Sequence, residues 1–318
     1  MPRLRVDPWD PEYGGSIEFE DMAPPAVDLD VESRSWNVRA VTARTELPCC
    51  AFVDGVRRID VRLFAEEGDV AAPALAGSWA VGTSWSTRPP TIDRVHVGRA
   101  LVVGGGMSHP ELVASVGAHP LHYPCTSVAG TAPVDPIQGL QNCMREAEAA
   151  LATEVWESEE AELLVLDGPL TYFAAAGPVV GLIKRQSRAY LPPERSGILS
   201  ELPSGGRTPL FRIRHQRLER YSWYVRIADG RDIDGVMTGI VRLEVSSQVG
   251  VDGAVELADV TASILPRFAS RIGRDPRAPQ NLYPVGQLES VLRHRLGDPL
   301  LLRRALEVAI WRNRYSEA

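Results

Sequence analysis

The sequence predicts an α/β fold, a mixed sheet flanked by helices with extra strands and C-terminal helices. Three observations point there. Segments rich in Val, Ala and Trp follow one another from Cys50 to Gly104, with glycine and proline between them. Residues 136–157 then carry apolar side chains at helical spacing. After them come two short apolar runs, Leu163-Leu164-Val165-Leu166 and residues 178–184, Pro178-Val179-Val180-Gly181-Leu182-Ile183-Lys184, which read as buried strands, the second with a lysine at its end.

Taken in order, residues 1–45 read as an N-terminal extended arm, acidic and punctuated by Pro8, Pro11, Pro24 and Pro25. Its Trp9 and Trp36 predict that parts of it pack. The texture changes near Cys49, and residues 46–318 read as one domain. Cys50-Ala51-Phe52-Val53-Asp54-Gly55 is an apolar run ending in Asp-Gly, and the stretch from Val56 to Leu63 alternates in part, as a half-buried strand does. Residues 73–86 and 94–104 continue as strands, and three strands in succession predict an antiparallel meander. Residues 120–128 read as a further short strand. In the helix that follows, Ile137, Leu140, Met144, Ala147, Leu151 and Val155 share one face, and Asp135 before Pro136 reads as an N-cap with proline at the first helical position. The strand over 163–167 ends in Asp167-Gly168-Pro169, where the chain must turn. Residues 208–216, 220–228 and 236–247 read as strands, and 255–272, 284–296 and 299–312 as helices. Three strands, a helix, then a buried strand is an order compatible with ribonuclease-H-like folds.

Composition narrows the function. The net charge of −7, from 34 basic and 41 acidic residues, does not describe a generic nucleic-acid binder, although the distribution of charge matters more than its sum. Lys184 is the only lysine, and every other basic side chain is arginine, a bias expected of a GC-rich genome. Cys49, Cys50, Cys125 and Cys143 form no C-x-x-C pair, which argues against zinc. No signal peptide is evident and no apolar run is long enough to span a bilayer, so a cytoplasmic protein with reduced thiols and no membrane partner is expected. Gly104-Gly105-Gly106 lacks the Lys-Ser/Thr of a phosphate-binding loop and reads as a flexible turn.

Two aspartates stand out. Asp54 follows Ala51-Phe52-Val53, and Asp167 ends Leu163-Leu164-Val165-Leu166. A buried, unpaired carboxylate is costly. Each either caps its turn beside Gly55 or Gly168 or binds a cation, since hard divalent ions prefer oxygen ligands. Glu146 and Glu148 on the intervening helix either join such a shell or sit on a solvated face.

Phe52-Val53-Asp54-Gly55-Val56-Arg57-Arg58-Ile59-Asp60 resembles the first motif of the NurA nucleases. Met144-Arg145-Glu146-Ala147-Glu148 is similar to that family's helical glutamate region, and Leu164-Val165-Leu166-Asp167-Gly168-Pro169-Leu170 to its second Asp-Gly motif. Val180-Gly181-Leu182-Ile183-Lys184-Arg185 resembles the segment that follows, with its lysine. Asn281-Leu282-Tyr283-Pro284-Val285-Gly286-Gln287-Leu288-Glu289 resembles the C-terminal proline-helix motif. The blocks keep the family's order over roughly residues 48–298.

The resemblance implies a ribonuclease-H-like fold, dependence on manganese or magnesium, and a homodimer with a central channel. It also implies a HerA-type hexameric DNA-translocating ATPase as partner, single-stranded endonuclease activity and 5′–3′ exonuclease activity on duplex ends, in repair or in defence. It makes Asp54, Glu148 and Asp167 the metal ligands, with Glu146 the alternative to Glu148, and adds Lys184 and Glu289 to the catalytic set. Glu289 stands close to where many members carry a histidine, and a fourth carboxylate suits a metal site equally well. Lys184 either offsets charge on the scissile phosphate or ends a strand in solvent. Arg57, Arg58, Arg185 and Arg188 adjoin the motifs and are the expected DNA contacts. Trp223 and Tyr224 read as core rather than as base-stacking platforms. A non-catalytic DNA-end clamp for the ATPase is the competing reading. In the last helix, Leu300, Leu301, Leu302, Leu306, Ile310 and Trp311 exceed what one face needs, which suggests a partner surface.

Overall fold

Three long strands, consecutive in the chain, lie side by side toward one end of the sheet. The computed structural model describes residues 3–6, 26–170, 173, 176–184, 189–215, 218–231, 234–271 and 277–316. Two short strands, β1 (Arg3–Val6) and β2 (Ala26–Asp28), precede β3 (Cys50–Glu67), β4 (Val70–Trp85) and β5 (Thr91–Val103). The β3–β4 hairpin closes on Gly68, whose φ of 59° suits a tight turn best filled by glycine. The partial alternation after Val56 has a cause: the β3–β4 register shifts between Ile59 and Val61. The residue at the shift, Asp60, is buried, and it accepts hydrogen bonds from Ser78, Tyr123 and Arg58.

A separate hairpin, β6 (Leu112–Val116) with β7 (His119–Tyr123), leads to β8 (Cys125–Ser127), which runs parallel to the end of β5. The single strand expected over 120–128 is thus two, because Pro124 falls between them. Gly104-Gly105-Gly106 is a pinned turn, not a flexible one. Its three amides donate to the carbonyls of Pro73, Gly130 and Val128 at 2.9, 2.8 and 2.9 Å.

Helix α1 (Asp135–Glu157) follows, then β9 (Leu163–Asp167) and β10 (Val179–Ile183). Five of the six residues expected on the inner face of α1 are buried, and Ala147 is half-buried. Asp135 is not its N-cap. It is the first helical residue, and its carboxylate accepts instead from the Ala132 amide at 2.7 Å. Short helices α2 (Pro193–Ser196) and α3 (Ile198–Glu201) lead to β11 (Phe211–His215), β12 (Leu218–Arg226) and β13 (Ile240–Ser246). Helices α4 (Gly250–Ile264), α5 (Tyr283–Arg295) and α6 (Pro299–Ser316) complete the chain. Helix α4 begins and ends earlier than its expected 255–272. Pro266 has no N–H to continue the α ladder, and the chain tightens there into a 3₁₀ turn over Leu265–Phe268.

The eleven-stranded sheet runs β2-β11-β12-β13-β10-β9-β3-β4-β5-β8, with β1 paired to the far half of β3. Its centre, β5-β4-β3-β9-β10, has β3, β4 and β5 antiparallel and β9 and β10 parallel to β3. This is the ribonuclease-H-like arrangement. The apolar runs of β3 and β9 lack alternation because both faces are covered. Cys50, Phe52, Leu163 and Val165 pack with Ala254, Ala258 and Ala262 of α4. Ala51, Val53, Leu164 and Leu166 pack with Met144, Leu151 and Val155 of α1.

Trp223 and Tyr224 lie in the core, as expected. In the N-terminal segment, β2 extends the sheet beyond β11, and Trp36 is half-buried against Phe211, while Pro8, Trp9, Pro11, Pro24 and Pro25 lie outside the described residues. Helix α6 packs Leu306 and Ile310 against the β6–β7 hairpin and β3, buries Leu302 too, and leaves Leu300, Leu301 and Trp311 exposed. Among the described residues, no helix is long and apolar enough to cross a membrane.

Candidate metal centre and cleft

Pairing between parallel strands β3 and β9 ends at the rung Val53↔Leu166. The next residue on each strand is an aspartate, Asp54 and Asp167. Helix α5 lies over β3 and β4, with Leu288 and Leu292 against Val56 and Ala80. It carries Glu289 to the same point. One carboxylate oxygen from each of Asp54, Asp167 and Glu289 lies within 4.8 Å of the other two. Asp54 and Glu289 are buried and Asp167 is partly so.

Glu148 arrives from α1 on the opposite side. Gly55 makes this approach possible, because a Cβ there would sit 2.5 Å from Glu148 Oε1. Glu148 is buried, whereas Glu146 is exposed and does not line the cleft. The turn after Asp167 needs its glycine too. Gly168 has a φ of 130°, and a Cβ on it would meet Arg145 Nη1 at 2.8 Å. Arg145 spans the two sides, donating to Glu148 Oε2 at 2.7 Å and to the Asp167 carbonyl at 2.9 Å. Lys184, just past β10, donates to Asp167 Oδ2 at 2.5 Å and to the buried Asn281 at 2.6 Å. Arg277 forks onto Glu289 with contacts of 2.6 and 2.7 Å, and Arg293 adds a longer one at 3.5 Å.

Together these residues line a cleft of about 510 Å³. A larger depression of about 610 Å³, between α4 and the start of β9, gathers no comparable carboxylate cluster. Arg57 lines the cleft and donates to Gln141 at 2.5 Å. Arg58 does not line it. Its guanidinium is bound to Asp60 and to the carbonyls of Gly297 and Leu296, at the end of α5. Arg185 and Arg188 lie outside the described residues.

The electrostatics are those of crowded anions. Burial pushes the Asp54 carboxyl well above its ordinary value, and Asp167, Glu148 and Glu289 push it further while Lys184 opposes them. Burial lifts Glu148 to about 7 against the pull of Arg145. Asp54 Oδ2 and Glu148 Oε1 are shut from solvent with no hydrogen-bond partner among the described residues. A buried carboxylate oxygen without a donor costs free energy that a cation can offset. The donors are all hard oxygens, so the residues fit magnesium or manganese.

Reading the sequence singled out Asp54, Glu148, Asp167, Lys184 and Glu289, and the structure brings all five to this cleft. It missed Arg277, Arg293 and Asn281 as site residues. Asn281 opens the quoted Asn281–Glu289 block, which was its only signal. Arg277 had none.

Residues 97–291 match the NurA domain family, well over half of the chain. The chain belongs to the NurA family. With it, the chain joins the nucleases. The NurA match takes in Glu148, Asp167, Lys184 and Glu289, and begins after Asp54. Two solved structures are similar at low identity. The NurA nuclease from Sulfolobus solfataricus is 10% identical with a TM-score of 0.47, over 82% of this chain and 84% of that one. Human ENDOV is 12% identical with a TM-score of 0.33, over 79% of this chain and 85% of that one. No curated protein matches the chain.

Proposed function

We propose that this NurA-family chain is a divalent-metal-dependent deoxyribonuclease, hydrolysing phosphodiester bonds in the Asp54–Asp167 cleft. It cuts single-stranded DNA internally and resects duplex ends 5′ to 3′. It works in the cytoplasm as a homodimer with a HerA-type hexameric ATPase, in end resection or in defence. Residues 46–318 form the catalytic unit, with residues 1–45 an N-terminal arm. The observation that carries the reading is the convergence of the Asp54, Asp167 and Glu289 oxygens within 4.8 Å. Family membership supports the nuclease and its DNA substrate. The exposed Leu300, Leu301 and Trp311 on α6 support a partner surface.

Asp54, Asp167 and Glu289 would hold the ion, with Glu148 from α1 as a further ligand. Bound Mn²⁺ or Mg²⁺ supplies positive charge to the phosphate oxygens and acidifies a water. Lys184 fixes the Asp167 carboxylate from the β10 side of the cleft. Arg145 locks Glu148 to the turn after Asp167, so that both sides of the shell move together. Arg57 and Arg293 face the cleft and meet the DNA backbone.

The test is cleavage of end-labelled single- and double-stranded DNA with manganese, magnesium or chelator, beside Asp54→Ala. Metal-dependent cutting that the variant loses supports the reading. A folded protein that binds DNA and the ATPase but never cuts makes it a clamp instead.

A further inference from the structure

We propose that Arg277 is a phosphate-binding residue of this cleft, held on Glu289 until that carboxylate is taken up by a metal ion. The proposal rests on the nuclease reading above and adds a coupling between ion and DNA. Three carboxylates of the cleft each have their own cation. Asp167 has Lys184, Glu148 has Arg145 and Glu289 has Arg277. The three cations differ in their exposure at the cleft. Lys184 is 14% exposed and also bound to Asn281. Arg145 is 29% exposed and also bound to the Asp167 carbonyl. Arg277 is 46% exposed at the cleft and turns both terminal nitrogens onto Glu289.

That fork is the geometry a guanidinium uses for a phosphate as well as for a carboxylate. Glu289 is therefore claimed twice. Its oxygens accept both arms of Arg277, and one of them also lies within 4.8 Å of the Asp54 and Asp167 oxygens. When Glu289 turns its charge to a divalent ion, the attraction that holds Arg277 weakens and the ion repels it. The nearest anion entering the cleft is then a DNA phosphate, and an exposed side chain reaches it without disturbing the core. Arg293, one helical turn beyond Glu289, keeps a cation beside the carboxylate after Arg277 leaves. Ion and DNA should thus each bind more tightly in the presence of the other.

Manganese affinity measured by calorimetry without DNA, for wild type and Arg277→Gln, tests the first half. Removing one neighbouring positive charge should tighten Mn²⁺ binding by about tenfold. Affinity for a phosphorothioate single strand, which resists cleavage, tests the second. Wild type should gain affinity on adding Mn²⁺ and Arg277→Gln should not, with a salt slope shallower by about 0.7 in Mn²⁺ alone. Arg277→Lys should keep the slope and lose part of the affinity, because the charge stays and the fork goes. If Mn²⁺ binding to Arg277→Gln is unchanged or weaker, Arg277 merely props Glu289 and the proposal fails. If Mn²⁺ binds neither wild type nor the variant, the metal reading itself fails.

Discussion

Asp54 and Asp167 are the first residues beyond the last paired rung, Val53↔Leu166, of two parallel strands. Up to that rung both faces of β3 and β9 are covered by helices, and the sequence is apolar. Beyond it β9 turns away and β3 continues, so two carboxylates face a gap in the sheet. They cannot be spread apart without breaking the strand pairing. The arrangement crowds like charges at the end of the paired strands.

That crowding predicts that Asp54→Asn stabilises the metal-free protein while abolishing cleavage. Burial and its anionic neighbours hold the Asp54 carboxyl well above its ordinary range, so its charged form is disfavoured in the fold. A neutral isostere escapes that penalty, worth on the order of 1 kcal/mol. Thermal melting in chelator should show a Tm above wild type. A lower Tm would mean that the Asp54 charge is compensated and that the cleft is not an anion trap.

Gly55 should be irreplaceable for a reason specific to Glu148. A Cβ at residue 55 would meet Glu148 Oε1 at 2.5 Å and Met144 Cγ at 3.0 Å. Gly55→Ala should cost about 1–3 kcal/mol, as overpacking does, and weaken Mn²⁺ binding by displacing the carboxylate. Adding Glu148→Ala should restore part of the stability, so the two changes will be non-additive. Additive costs would place the strain elsewhere.

Much of this was legible because it is local. The apolar runs of β3 and β9, the single inner face of α1 and the Asp-Gly turns each lie within a few residues of sequence. Between Glu146 and Glu148 the residues alone leave the choice open, and the resemblance, with its Arg145 spacing, favours Glu148. What was not legible depends on long-range closure. Lys184 meets Asn281 97 residues away, and nothing in either segment announces it. Arg277 reaches Glu289 across the turn into α5, and it looks like any other arginine in a chain rich in them. Arg58 adjoins the first motif, yet the strand's alternation and the shift beside Asp60 commit it to the end of α5. Adjacency to a motif carries no direction.

Glu244 adds an acid limb to the stability of the fold. Burial works against its charge, but Arg242 and Arg220 hold its carboxyl below the usual glutamate range. It also accepts from the Leu170 amide at 2.8 Å, which fixes the turn after Asp167. A depressed carboxyl contributes stability above its unfolded pKa of about 4.3, and that stability is lost as pH falls through the folded value. Glu244→Gln should therefore be less stable than wild type at pH 7 by about 3 kcal/mol, because two arginines lose their partner. The gap should narrow below about pH 4. Denaturant unfolding across pH measures it, and a constant gap would remove Glu244 from the acid limb.

The one lysine of the chain, Lys184, sits in the cleft. Lys184 Nζ serves Asp167 Oδ2 and Asn281 Oδ1 with a single atom, in a space that leaves it 14% exposed. A guanidinium carries its donors in a wide plane and does not fit a point between two acceptors. Lys184→Arg should keep the charge, leave Mn²⁺ affinity nearly unchanged, and still lower cleavage by about 10²-fold through misplacement of Asp167. Lys184→Met should behave differently. It removes a cation that opposes the rise of Asp54, so the metal-free protein should lose stability at neutral pH while Mn²⁺ binds more tightly. Cleavage rates, calorimetry and melting on the two variants separate position from charge. Full activity in Lys184→Arg would show that only the charge matters, and that the Asn281 contact is incidental.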